Sequence, residues 1–419
     1  MLIKTLLNYC YKLKSFVYKK VQIKNYHKEK CIEVKVVPRK KSKPICSNCE
    51  TPGPIYDTSS KKRRFEFLPI WGLKVYFLYK MRRVDCSVCN KVITEKVPWA
   101  SGKNTLTEVH MVFLARWSKL LSWQEVAKQF RTSWEKVFMS TKYIVEWGLN
   151  KRSMDNITSI GVDEVQWHCG HKYLTLVYQI DSHAKRLLWI AKDRTEKTFN
   201  GFFDNLGEIK SKAIKFICSD MWRPYLNVIK ERVSQAVHIL DRFHIVSMLN
   251  KAIDEVRAGE YKQMTENGYE PILRKSRWCL LKRKENLTEK QEAKLKDLLK
   301  YNLKSVRAYL LKEDFQGFWE YISPAWAGKF IKRWCTRVMR SKIEPLKKVA
   351  KSIRKHQDLI LNWFRAKKAF SSGIVEGFNT KVKLTIRKSY GFRTFKATEI
   401  ALYHALGDLP EPEFAHEFY

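Results

Sequence analysis

The chain has 419 residues, 45% hydrophobic and 13% aromatic, enough apolar material for more than one packed core and too much for a disordered polymer. Its 81 Lys and Arg against 42 Asp and Glu leave a formal charge of +39, which draws in polyanions: nucleic acid first, with ribosomal or membrane surfaces as alternatives of the same sign. No run of 18 apolar residues occurs, and Lys4, Lys12 and Lys14 interrupt the opening segment, so the expectation is no membrane span, no signal peptide and a cytoplasmic chain whose 10 cysteines stay reduced.

The first constellation is Cys46-x-x-Cys49 with Cys86-x-x-Cys89. Chance would place roughly 0.2 such pairs in a chain of this composition. Each turn aims two sulfurs at one point, and two turns supply the tetrahedral thiolate set that zinc prefers. Between them lie two strand-like runs, Arg64–Leu68 and Val75–Tyr79, split by Trp71-Gly72. A hairpin there would carry the second knuckle back to the first. Two unrelated pairs of buried cysteines are the alternative.

From Thr107 the period becomes helical, with Val109, Phe113, Leu114, Trp117 and Leu120 at three- and four-residue steps. Ser122 and Glu125 have the spacing of a capping box. A break at Arg131-Thr132-Ser133 precedes another helix containing Val137, Ile144 and Trp147. Three helices with a tight break before the last outline a helix-turn-helix, in which Ser133, Glu135 and Lys136 would face the bases of the major groove. An ordinary helical bundle has the same outline.

Strands begin near Ser159. The runs 159–165, 173–180 and 186–191 are joined by short loops and read as antiparallel neighbours. A helix with Phe199, Phe202, Phe203 and Leu206 follows, then a buried strand ending at Ser219-Asp220, a helix from Tyr225 to Val233, and a strand ending at Asp241. Three strands followed by alternating helix and strand is the order of an RNase H-like fold. Asp163 would sit within the central strand and Asp220 at the end of its neighbour, where ligands gather in open α/β sheets. Oxygen ligands of this kind suit Mg²⁺ or Mn²⁺; a solvated acid or a salt bridge to a lysine is the plainer use of either.

After Asp241-Arg242-Phe243-His244 a basic helical region extends to about Phe364, with tryptophans at 278, 319, 326, 334 and 363. These read as core more readily than as platforms for stacked nucleotides, and 285–304 as a solvated helical pair. In Ser371–Lys383, Glu376, Asn379 and Lys383 share one helix face. Lys381, Lys383, Arg387 and Lys388 fit a surface that follows phosphates.

These residues resemble those of the ISL-three family of bacterial insertion-sequence transposases. The resemblance runs from Cys46 to about His404. It rests on Gly161-Val162-Asp163-Glu164, Gly170-His171-x-Tyr173-x-Thr175 with Asp181, Asp220-Met221-Trp222-Arg223-Pro224-Tyr225, Asp241-Arg242-Phe243-His244, and Glu376-Gly377-Phe378-Asn379 followed by Tyr390-Gly391-Phe392-Arg393. It implies a catalytic triad of Asp163, Asp220 and Glu376, with Asp241 and His244 as an accessory motif and the helical region as an insertion in the catalytic fold. Ser372 departs from the pattern, standing where Asn is common.

The expectation is therefore a multidomain α/β protein. A zinc-binding β module (1–100) and a helix-turn-helix (101–150) precede an RNase H-like mixed sheet (151–245). An all-α insertion (246–365) interrupts that sheet before its second part with C-terminal helices (366–419). Three carboxylates would hold two Mg²⁺ (or Mn²⁺) ions about 4 Å apart for in-line phosphoryl transfer. The partners would be double-stranded DNA at the element's ends and at the target, with at least a homodimer needed to pair two ends. A DNA-binding regulator, an inactive domesticated copy and a structure-selective nuclease are the rival readings; all three acids are present in this chain. Terminal repeats, target preference, excision route and activity are not legible in sequence.

Overall fold

The computed structural model describes residues 2–26, 29–168, 170, 172–366 and 373–412. The chain divides into two compact units, residues 1–153 with 385–419, and residues 154–384. No described helix is long and apolar enough to cross a membrane.

The first unit opens with α1 (Ile3–Cys10), β1 (Phe16–Tyr26) and β2 (Glu29–Pro38); the two strands pair antiparallel from Phe16↔Pro38 to Tyr26↔Glu29. β3 (Ile55–Thr58) follows, then β4 (Arg63–Ile70) and β5 (Leu73–Tyr79). The last two form the expected hairpin: Trp71 and Gly72 both have positive φ, 47° and 77°, as a two-residue turn matched to strand twist requires. The sheet order is β1-β2-β5-β4. Its core is aromatic, with Phe67 stacked on Phe77 at 4.7 Å and Trp99 edge-on to Phe16 at 4.9 Å.

A separate three-stranded sheet, β3-β6-β7, is completed by β6 (Arg82–Cys86) and β7 (Lys91–Thr94). One buried ion pair lies at the end of this sheet, and the Tyr79 hydroxyl of β5 joins it to the larger one. The side chains of Arg82 and Glu95 are 5% and 0% exposed, with Nη2 2.7 Å from Oε2. Glu95 also accepts from Tyr79 Oη at 2.6 Å and from Arg82 N at 2.7 Å. Three helices follow: α2 (Glu108–Leu120), α3 (Trp123–Gln129) and α4 (Trp134–Lys151). Thr107, Ser122 and Ser133 cap them, and the Ser122–Glu125 capping box is present. They close on Leu106, Met111, Leu114, Val126 and Val137.

The second unit carries β8 (Ser159–His168), β9 (Lys172–Ile180), β10 (Lys185–Lys192), α5 (Glu196–Leu206), α6 (Glu208–Lys212), β11 (Phe216–Ser219), α7 (Arg223–Arg232) and β12 (Val237–Leu240). The sheet order is β10-β9-β8-β11-β12. β9 runs antiparallel to both β8 and β10, while β11 runs parallel to both β8 and β12. Phe199, Phe202, Phe203, Tyr225 and Val228 fill the space between α5, α7 and one sheet face. Then come α8 (Arg242–Glu266), α9 (Arg277–Leu281), α10 (Glu289–Leu298), α11 (Lys304–Gln316), α12 (Pro324–Arg340), α13 (Glu344–Lys355), α14 (Gln357–Arg365) and α15 (Gly373–Lys388). Trp319, Trp334 and Trp363 are core residues there, as the sequence reading favours, whereas Trp278 and Trp326 face solvent.

The last helix, α16 (Phe395–Leu406), belongs to the first unit and packs on α4. Beyond it, Glu411 pairs with Arg116 and Lys119 at 2.9 and 2.7 Å. Gly148 of α4 leaves room for this tail, since a Cβ there would lie 2.7 Å from Leu409 Cβ.

Removing one partner of a buried ion pair leaves the other charged and desolvated. Glu95→Ala is expected to destabilise the first unit by about 3–5 kcal/mol, read as a lowered urea midpoint against wild type.

Candidate active site and metal centres

Strand register builds the acidic site. Gly161 of β8 pairs with Cys218 of β11, and Cys218 with Ile239 of β12. Two residues beyond each of these three partners stand Asp163, Asp220 and Asp241. Parallel strands in register therefore bring three carboxylates to one edge of the sheet, at equivalent positions. The Asp241 amide donates to Ser219 O at 2.8 Å, which carries the pairing to the last residue.

Each acid is held by specific donors. Asp163 is 8% exposed; its Oδ1 accepts from Glu164 N at 2.7 Å and its Oδ2 from Asn379 Nδ2 at 2.6 Å. Asn379 is itself fixed by Tyr178, whose hydroxyl donates to Asn379 Oδ1 at 3.0 Å and whose ring stacks on Phe378 at 4.6 Å. Asp220 Oδ1 accepts from Trp222 N at 2.9 Å. Asp241 caps α8 by accepting from Phe243 N at 2.7 Å, and its Oδ2 lies 3.2 Å from His244 Nδ1.

The electrostatics follow from this crowding. Burial raises the Asp163 carboxyl, with Asp241 adding to the effect against the hydrogen bonds from Glu164 and Asn379 and the charge of His244. Burial pushes Asp220 up to about 6; Glu164 and Asp163 push the same way, while the Trp222 hydrogen bond and His244 oppose. Burial alone would lower His244, but Asp241, Asp163 and Asp220 outweigh it and hold the imidazole up at about 9. A row of all-oxygen donors whose charge the fold resists, with one imidazolium as counter-ion, has the chemistry a hard divalent cation takes, but its oxygens are not gathered within 4.8 Å of one another as the cysteine sulfurs are.

Glu376 stands in the first turn of α15, exposed, one turn before Asn379. Gly161 admits α15 to the strand, because a Cβ there would lie 2.6 Å from Val375 Cγ2. Ser371, Ser372 and His171 lie outside the described residues. The motif residues Glu164, Tyr173 and Trp222 converge on Arg194, which the sequence reading does not single out. Its Nη1 donates to Glu164 Oε1 at 2.6 Å, and its guanidinium lies over the rings of Tyr173 and Trp222 at 4.2 and 4.7 Å. Trp222 Nε1 closes the loop on Arg194 O at 3.3 Å. An Arg two residues before the Phe-rich helix carries no sequence signal; only the fold identifies it.

The four cysteines form the second centre. Their sulfurs all lie within 4.8 Å of one another, the one such group of potential metal ligands among the described residues. Cys46 and Cys89 are 3.9 Å apart, and Cys49 and Cys86 3.4 Å. A tetrahedron with zinc–sulfur bonds of about 2.3 Å has edges of about 3.8 Å, so the set fits structural zinc.

The expected DNA-facing residues are distributed unevenly. Glu135 is exposed, but the Ser133 hydroxyl caps α4, and Lys136 Nζ pairs with Glu66 at 2.8 Å. Trp134 and Met139 are the exposed large apolar residues of that helix. Asn379 is buried at the acids, and Lys388 Nζ donates to the carbonyls of Ser118 and Lys119 at 3.3 and 3.1 Å. Lys381, Lys383 and Arg387 are exposed along α15.

Loss of one thiolate opens the tetrahedron. Cys86→Ser is expected to retain less than half of the one zinc per chain of wild type, by elemental analysis, and to melt at lower temperature.

Comparison with known proteins supports the cysteine centre and gives the family of the unit that carries the acids. A family model described as a transposase, the ISL3-type DDE domain, matches residues 160–402. A second, described as the zinc-finger of transposase IS204/IS1001/IS1096/IS1165, matches residues 42–89. The chain is similar to the transposase for insertion sequence element IS1001 of Bordetella parapertussis, 28% identical over 333 residues, covering 79% of this chain and 81% of that one. It is also similar to the transposase for insertion sequence element IS1557 of Mycobacterium tuberculosis, 27% identical over 392 residues, covering 87% and 86%. The first match spans more than half of the chain and contains Asp163, Asp220, Asp241 and Glu376; the second contains all four cysteines. This chain belongs to the ISL3 family of insertion-sequence transposases.

Proposed function

We propose that this transposase binds the terminal inverted repeats of its element and cuts and joins DNA by metal-dependent in-line phosphoryl transfer, with Asp163, Asp220 and Glu376 as its catalytic carboxylates. The observation that carries the reading is the row of desolvated acids at one register position of β8, β11 and β12. Bound between such carboxylates, a pair of Mg²⁺ or Mn²⁺ ions supplies a low-pKa water or activated 3′-hydroxyl and stabilises the leaving oxygen.

The chain's own residues do the rest. Asn379 aims Asp163, and the Trp222 amide aims Asp220, so neither carboxylate has to be ordered when DNA arrives. Glu376 completes the triad from α15, whose place against β8 is set by Gly161 and Val375. His244, held protonated beside Asp241, faces the scissile phosphate as a cation. No protein nucleophile is required, because water and then a DNA hydroxyl attack the phosphorus.

The same reading makes the five-stranded sheet an RNase H-like core and residues 246–365 its helical insertion. Ser133, Glu135 and Lys136 mark the recognition helix, with the Lys136–Glu66 bond opening on DNA. Asn379, Lys381, Lys383, Arg387 and Lys388 mark the helix that runs beside the cleaved strand. Pairing two element ends calls for at least a dimer, acting in the cytoplasm on the nucleoid.

The test is cleavage of labelled DNA carrying the element's own terminal repeats, with Mg²⁺ or Mn²⁺. Nicking at the repeat end is expected from wild type and a loss of at least about 100-fold from Asp220→Asn. Specific binding with no cleavage under either metal would make the protein a DNA-binding regulator. A second measurement is independent of turnover. With its pKa raised, Asp220 contributes stability below the ordinary carboxylate range and loses it as pH rises through about 6. At pH 7.5 without added divalent metal, Asp220→Asn is therefore expected to be more stable than wild type by about 1–2 kcal/mol, and Mg²⁺ to stabilise wild type alone.

A further inference from the structure

A cleft of about 740 Å³ lies between α8 and α9. One wall is a single stripe of α8, including Phe243, Asn250 and Asp254, and it starts two residues after the Asp241 cap. The other wall is Arg277, Trp278 and Lys282. Three features set this cleft apart from ordinary surface.

Its aromatics are half exposed: Phe243 is 50% and Trp278 53% exposed, the latter with Arg277 over its ring at 5.2 Å, whereas Trp319, Trp334 and Trp363 of the same helical region are buried. Asn250 Oδ1 is shut away from solvent with no hydrogen-bond partner, a cost that an apolar wall would not carry. The third feature is charge. Asp254 is already taken by Arg257 at 2.7 Å and Arg277 at 3.0 Å, which leaves Lys251 and Lys282 against Glu255.

We infer that this cleft receives an unpaired nucleobase of the DNA strand held at the acid row. Stacking on Trp278 and Phe243 accepts any base, because every base has a π-face. Asn250 lines the same wall, and on turning its shut-away oxygen into the cleft its amide would both donate and accept at a base edge. Lys251 and Lys282 take the flanking phosphates. The ligand class rests on the DNA-cleaving reading above, but the test requires neither divalent metal nor cleavage.

Full-length protein would be titrated, without added Mg²⁺, into a fluorescent ten-nucleotide thymidine oligonucleotide and into an abasic oligonucleotide with the same number of phosphates. Wild type is expected to bind the thymidine strand about tenfold more tightly. The doubly substituted Phe243→Ala/Trp278→Ala is expected to bind both strands alike, at the wild-type affinity for the abasic one. Asn250→Leu removes the unpartnered amide, so it is expected to melt at higher temperature and yet bind the thymidine strand severalfold more weakly. Equal binding of the two strands by wild type, or a preference that survives the double substitution, would overturn the inference. So would an Asn250→Leu protein that binds as wild type does, since that would make the amide a packing residue and the cleft a surface for some other partner. A cleavage assay that fails while the base preference tracks the variants sinks only the catalytic reading; cleavage without base preference sinks only the cleft.

Discussion

The parallel pairing of β8, β11 and β12 in a common register is the constraint on which the second unit depends. Any such arrangement repeats side chains across strands, and here the repeated side chain is aspartate. Like charges on neighbouring strands oppose folding unless something answers them. The answers are local and of three kinds: backbone amides of Glu164, Trp222 and Phe243, the side-chain amide of Asn379, and the imidazolium of His244. None cancels the charge completely, as the raised carboxyls of Asp163 and Asp220 register.

The site is braced from both faces of the sheet. On one, Asn379 of α15 reaches Asp163 and is itself fixed by the Tyr178 hydroxyl. On the other, Glu164 points away from Asp163, as alternation along a strand demands, and anchors Arg194 between two aromatic rings. Trp222 belongs to that stack through its ring and to Asp220 through its amide. Displacing the stack would move the turn that carries the acid, so Arg194 acts on Asp220 without touching it.

Much of this was legible in sequence where period and chemistry coincide. The runs 159–165, 173–180 and 186–191 are apolar enough to read as strands, and the capping-box spacing of Ser122 and Glu125 announces its helix, whereas Ser133, read as base-facing, caps α4. The cysteine spacing gave the thiolate cluster directly. What was not legible depended on tertiary contact. β1 and β2 carry lysines at 19, 20, 24, 30 and 35, which break up the hydrophobic alternation although Val34 and Val36 are buried. Asn379 and Lys383 share a face by spacing, but only the packing of α15 on β8 turns Asn379 toward Asp163. Lys136 reads as a groove-facing cation until Glu66, 70 residues earlier, is brought beside it. The tryptophans of the helical region divided by packing alone, three inward and two outward.

Gly161 gives the site a mechanical tolerance. With no Cβ, β8 lets Val375 settle into the space a methyl group would fill, so α15 rides on bare backbone with no side-chain cushion between them. A cushion of side chains yields under load, whereas backbone against a branched methyl does not. The seat of α15 on β8 is consequently a dimension of the main chain itself, as unyielding as the sheet, while the opposite side of the site rests on a guanidinium held by Glu164 and two aromatic rings. Two supports of different make thus hold the strands that carry the acids, one a backbone contact and the other a stacked cation.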